Sequence, residues 1–152
     1  MQESNTYRIN DKTLADSAID GLFGGLLAGA VMGVVIVLGW VLIGEAPATL
    51  LERFSPGQSM TPAAGVLMHL AVSGVYGVGF SLLANGIPRR TRAQIPGWLA
   101  GLIYGGLLLV LALNLILPEL RSTLGELLLW IIALGHAVYG IVLGIKAYPK
   151  VS

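Results

Sequence analysis

Four stretches of the chain are apolar from end to end: residues 21–44, 54–88, 93–118 and 127–145 contain no Asp, Glu, Lys or Arg. About 20 consecutive apolar residues cross a hydrocarbon core as a helix. The pattern therefore predicts four spanning helices, over about residues 20–43, 62–86, 96–117 and 125–147. Within the first, Gly21, Gly25, Gly29 and Gly33 recur every fourth residue, which puts them on one stripe of a helix. In water each glycine would cost roughly 1 kcal/mol against alanine. In lipid the backbone hydrogen bonds have no competitor, and small residues let helix axes approach closely. The stripe reads as a packing face.

The other stretches repeat the device. Gly65, His69, Ser73 and Gly77 form a stripe in the second, Gly97, Gly101 and Gly105 in the third, and His136, Gly140 and Gly144 in the fourth, with Ala133 and Ala137 beside it. Four helices that each carry a small face predict an all-α fold, a close transmembrane four-helix bundle rather than the wall of a wide pore.

Punctuation between the stretches agrees with these bounds. Residues 1–16 are polar and lack periodicity, so a cytoplasmic tail is expected, followed by a membrane domain over 17–148. Ser17-Ala-Ile-Asp20 has the form of a capping box opening the first helix, and Trp40 lies near its outer end, where an indole suits the interface. In the loop 44–60, Thr49-Leu-Leu-Glu52 is a second such pattern; a short helix on the membrane surface and an irregular loop both fit. Thr61-Pro62 opens the second helix and Asn85-Gly-Ile-Pro88 closes it. Arg89-Arg-Thr-Arg92 reads as a tight turn, Pro96-Gly97 and Leu117-Pro118 bound the third helix, and Thr123-Leu-Gly-Glu126 and Tyr148-Pro149 bound the fourth. Ala46-Pro-Ala48 resembles a signal-cleavage site, but the preceding apolar run is too long and its flank carries Asp11, Asp16 and Asp20, so the helix is read as retained.

Charge adds an orientation. Of the nine basic residues, Arg8, Lys12, Arg89, Arg90, Arg92, Lys146 and Lys150 fall on one side of the four spans and only Arg53 and Arg121 on the other. The positive-inside rule then puts both termini in the cytoplasm, N-in/C-in. A composition 55% apolar and 11% charged excludes a compact soluble domain, and a net charge of +1 excludes a basic field for nucleic acid. With no cysteine, disulfides, thiolate catalysis and cysteine-held metals are excluded.

An internal echo runs through the spans. Phe23-Gly24, Tyr76-Gly77, Tyr104-Gly105 and Tyr139-Gly140 place one aromatic-glycine pair in each, and Gly21-Leu-Phe-Gly-Gly-Leu-Leu27 matches Gly101-Leu-Ile-Tyr-Gly-Gly-Leu-Leu108 but for one inserted residue. Two repeated helical hairpins would produce it, and so would chance in glycine-rich sequence. The last span, Gly135-His-Ala-Val-Tyr-Gly-Ile-Val-Leu-Gly144, resembles the closing helix of a family of small bacterial four-helix membrane proteins of unknown function. The resemblance implies a bacterial inner-membrane protein and imports no activity.

Candidate chemistry rests on few residues. His69 and His136 are the only histidines, each inside a span, and an ionisable group there is a functional hypothesis by default. Two such histidines on different helices hold b-type haem in some proteins. Counting from opposite faces at 1.5 Å per residue puts His69 about 12 Å and His136 about 15 Å deep, a stagger that opposes a shared iron. The competing readings are neutral histidines bonded across the bundle, a quinone or lipid-headgroup pocket, and haem. Asn114 comes close in depth to His69 and, with Ser73 and Tyr76, would make a polar cluster suited to a quinone head. No acidic or basic residue lies at membrane depth, which opposes an ion-coupled transporter. There is no H-E-x-x-H, G-x-S-x-G or phosphate loop, so no catalytic or metal site is expected.

The function these features favour is a non-catalytic accessory or structural subunit that packs against a larger membrane complex or itself within the lipid bilayer. The alternatives are a small haem- or quinone-binding redox protein and a minimal solute transporter acting as an oligomer.

Overall fold

The computed structural model describes residues 13–53, 61–116 and 129–148, and every element in them is helical. In order these are α1 (Leu14–Leu42), α2 (Pro47–Arg53), α3 (Pro62–Gly86), α4 (Arg89–Gln94), α5 (Gly97–Leu111), a π-helical continuation (Ala112–Ile116), and α6 (Leu129–Ala147). Four of them, α1, α3, α5 with its continuation to Asn114, and α6, are long and apolar enough to cross a membrane. The expected tail up to residue 12, the third helix's end at Leu117-Pro118, the capping box at Thr123 and Pro149 lie outside the described residues.

The first helix starts earlier than its sequence suggests. Thr13, not Ser17, is the N-cap: its Oγ1 accepts from the Asp16 N–H at 3.1 Å, and the Asp16 carboxylate accepts from the Thr13 N–H at 3.0 Å. Thr13-x-x-Asp16 and Ser17-x-x-Asp20 are the same pattern one turn apart. The outer copy caps, and Ser17 is drawn into the helix, where its N–H donates to Thr13 O. At the other end Gly44 at φ +89° closes α1, its N–H donating to Val41 O while the Glu45 N–H reaches Trp40 O. Only a glycine adopts that backbone without strain.

In the following loop the helical alternative holds, with a different start. Pro47 is the first helical residue, and Thr49 sits inside the first turn, donating to Ala46 O at 2.6 Å and accepting from the Trp40 indole at 3.2 Å. Trp40 is thereby buried beneath α2, and Leu50 of α2 is wholly buried. Thr61 caps α3 as its sequence predicts, with Pro62 first in the helix. The arginine turn is itself a short helix, α4, held between Pro88 and Pro96.

Packing follows the glycines. The stripe of α1 meets that of α3 so closely that a methyl group at Gly25 would overlap Ser73 O and stand 2.8 Å from Gly77 Cα, while one at Gly21 would stand 2.8 Å from Ser81 Cβ. At Gly29 it would overlap the Ser73 side chain. Gly33 differs. A methyl there would lie 3.6 Å from the His69 ring, an ordinary contact, because the two helices have begun to diverge. The stripes of α5 and α6 interlock likewise: Gly97 against Gly144, Gly101 against Gly140 and Gly144, and Gly105 against the His136 carbonyl.

A second face of α1 joins these two pairs. Gly24 lies against Ala147 and Leu143 of α6, Ile36 against Gly135, and Gly39 against Ile131, with Ala28 fully buried between. Between α3 and α5 the gap is filled by rings instead, Phe80 lying 5.2 Å from Tyr104 and 6.2 Å from Tyr148 between centroids. The glycine of every aromatic-glycine pair is buried, but the aromatics are not equivalent: Phe23 is exposed, whereas Tyr139 is 2% exposed.

Candidate functional site

Three hydroxyls within the long helices bond to the backbone of α3. Its glycine-rich stretch leaves carbonyls uncovered, and a hydroxyl or ring N–H held away from water must find an acceptor. Tyr139 of α6 donates to Ser73 O at 2.7 Å, Tyr104 of α5 donates to Tyr76 O at 2.8 Å, and Ser73 Oγ donates to His69 O at 2.7 Å. The His69 Nε2 contacts Gly29 O of α1 at 2.9 Å. A carbonyl only accepts, so the facing ring nitrogen carries the proton. Helix α3 is thus tied by side-chain hydrogen bonds to each of the other three long helices.

Of the four residues expected to surround a shared ligand, His69, His136 and Asn114 bond to three separate carbonyls. His69 reaches α1. His136 Nδ1 turns back to Ile132 O of its own helix at 2.9 Å rather than across to a neighbour. Asn114 is exposed and donates to Val110 O at 2.9 Å within its own helix. It sits in the π-helical segment, where the backbone is wound one residue wider than in α5. Tyr76 is half-buried and contributes its carbonyl to Tyr104. Among the described residues no three His, Cys, Asp or Glu side chains come together as a metal site would need.

Where α1 and α3 diverge past Gly29, a groove of about 350 Å³ opens below α2, with Gly33, Leu50, Gly65, Val66 and His69 in its wall. His69 is the one polar side chain among its described lining residues.

At the opposite end of these helices lies a polar group that sequence reading passed over as part of a turn. Arg92 of α4 is only 7% exposed; its Nη1 donates to Ala84 O at 3.2 Å, beside the end of α3, and its own carbonyl accepts from Tyr148 at 3.5 Å. Its Nε–H meets no acceptor among the described residues. The sequence likewise shows Tyr104 and Tyr139 only as members of aromatic-glycine pairs. The available signal was that a phenol at mid-span needs a hydrogen-bond acceptor.

No family model, curated protein or solved structure matches this chain. Among the described residues the class is all-helical, with four helices long and apolar enough for a multi-pass membrane protein.

Proposed function

We propose that the chain is an inner-membrane protein whose four long helices form a close bundle with both termini in the cytoplasm, and that it serves as a non-catalytic accessory subunit of a larger membrane complex. The glycine stripes act as a zipper within each helix pair. The observation that carries this reading is how the polar groups at membrane depth are used: His69, Ser73, Tyr104, Tyr139, His136 and Asn114 all bond to backbone carbonyls of the protein's own helices. Such bonds fix helix positions and leave shape, not reactivity, as what the molecule offers. Its sides are apolar, with Leu22, Leu27, Leu67, Val75, Ile103 and Leu107 among the exposed residues that meet lipid or a neighbouring subunit.

Purification in mild detergent tests the assignment. The expected result is co-purification of larger membrane chains in fixed ratio, with no Soret absorption. A Soret band that His136→Gln abolishes would replace this reading with the haem alternative, and a protein that purifies alone and colourless would contradict the subunit role.

A further inference from the structure

The structure has one strongly basic end. Helix α4 carries Arg89, Arg90 and Arg92 within one turn, and Lys146 closes α6. No acidic residue occurs in α4, α5 or α6; among the described residues the acids of this end, Asp16 and Asp20, are both on α1. Arg92 differs from the exposed Arg90. It is buried, anchoring α4 to Ala84 O of α3 and, through its carbonyl, to the Tyr148 hydroxyl that follows α6. That anchoring lays α4 across the end of the seam between α3 and α5, the seam that aromatic rings rather than glycine contacts fill. Arg90 is then exposed on α4, Trp98 is exposed one residue into α5, and Leu83 is exposed one turn before the end of α3.

We propose that this corner binds the phosphodiester headgroup of an anionic phospholipid, with its acyl chains along the α3–α5 seam. The proposal rests on the membrane placement above, which brings α4 to the level of the cytoplasmic headgroups. Charge complementarity selects the lipid class. A basic pocket between helix ends on the cytoplasmic side favours anionic headgroups over zwitterionic ones, and an arginine pairs with a phosphate through parallel N–H bonds. An indole beside the cations suits the headgroup level, and the exposed aliphatic side chains below it suit acyl chains. The neutral neighbour Thr91 and the prolines at 88 and 96 contribute no charge, so the preference resides in the arginines.

The test compares the purified protein with dioleoylphosphatidylglycerol, dioleoylphosphatidylcholine and inorganic phosphate, scoring lipid retained in native mass spectrometry and the shift in melting midpoint. Phosphatidylglycerol is expected to be retained and to raise the midpoint; phosphatidylcholine and phosphate at the same concentration are not. Each basic residue near an anionic surface contributes about fivefold in affinity, so Arg89→Gln/Arg90→Gln should weaken retention by more than about tenfold, whereas Arg53→Gln should not. Equal retention of both lipids, a preference that survives the double substitution, or phosphate reproducing the shift would each overturn the proposal. The variants' lipid-free melting midpoint checks their folding. A reporter fused after Ser152 and read in the same strains separates the two claims: a cytoplasmic signal without lipid preference removes the lipid site alone, and a non-cytoplasmic signal removes the placement on which it rests.

Discussion

Replacing Gly101 by leucine is expected to prevent the α5–α6 pair from closing, and replacing it by alanine to cost about 1–3 kcal/mol, the usual penalty for overpacking a filled interior. A methyl group at Gly101 would overlap Gly140 O and stand 2.8 Å from Gly144 Cα. Both obstacles are backbone, so no side chain can rotate out of the way. The helices themselves would have to separate, and with them the contacts from Gly97 to Gly105. Gly106, five residues along and on the open side of the same helix, has nothing within 4 Å of an added methyl. Gly106→Ala is therefore expected to be neutral or stabilising by at most about 1 kcal/mol, since alanine is the better helix former. The same contrast holds on α1, where Gly25→Ala should be damaging and Gly33→Ala mild. Melting midpoints in mild detergent measure all four. Equal effects at Gly101 and Gly106 would mean that the helix pair does not pack through this face.

The second large effect is expected at Tyr139. The side chain is 2% exposed and reaches from α6 to Ser73 O on α3, between helices that touch little elsewhere. Tyr139→Ala removes both ring and hydroxyl, and the cavity should cost about 3–5 kcal/mol, as for other buried aromatics. Tyr139→Phe keeps the ring and loses only the hydrogen bond. Its cost should be about 0.6–1.7 kcal/mol, the range for single interhelical bonds in a membrane. The ordering Ala far below Phe, Phe below wild type, is the checkable outcome by detergent melting. A Tyr139→Phe protein as damaged as the alanine variant would show that the bond, not the packing, holds α6 to α3.

Some of this architecture was legible in the residue pattern and some was not, for identifiable reasons. The stripes at Gly21, Gly25 and Gly29 and at Gly97, Gly101 and Gly105 announce close approach, because nothing else rewards glycine every fourth residue in an apolar helix. Which helix each stripe meets is not written in a stripe. The second face of α1 was invisible, since Gly24, Ala28, Met32, Ile36 and Gly39 mix small and large residues that fit only against the particular surface of α6. Gly33 continues the spacing of its stripe but not its contact, because helix axes that cross must diverge somewhere. The polar residues were found; their partners were not. His136 and Asn114 bond within their own helices, a local option that side chains always have and that depth arguments overlook. In the sequence Arg92 is one of three arginines in a tight turn, and only the fold shows it turned inward to the end of α3.

Reporter fusions at residues 55–58 and after Ser152 test most directly the four-span arrangement from which everything else follows. An enzyme active only outside the cytoplasm should report from the 55–58 fusion and be silent after Ser152, and an enzyme active only in the cytoplasm should give the reverse. Cytoplasmic activity at the 55–58 fusion would contradict the arrangement.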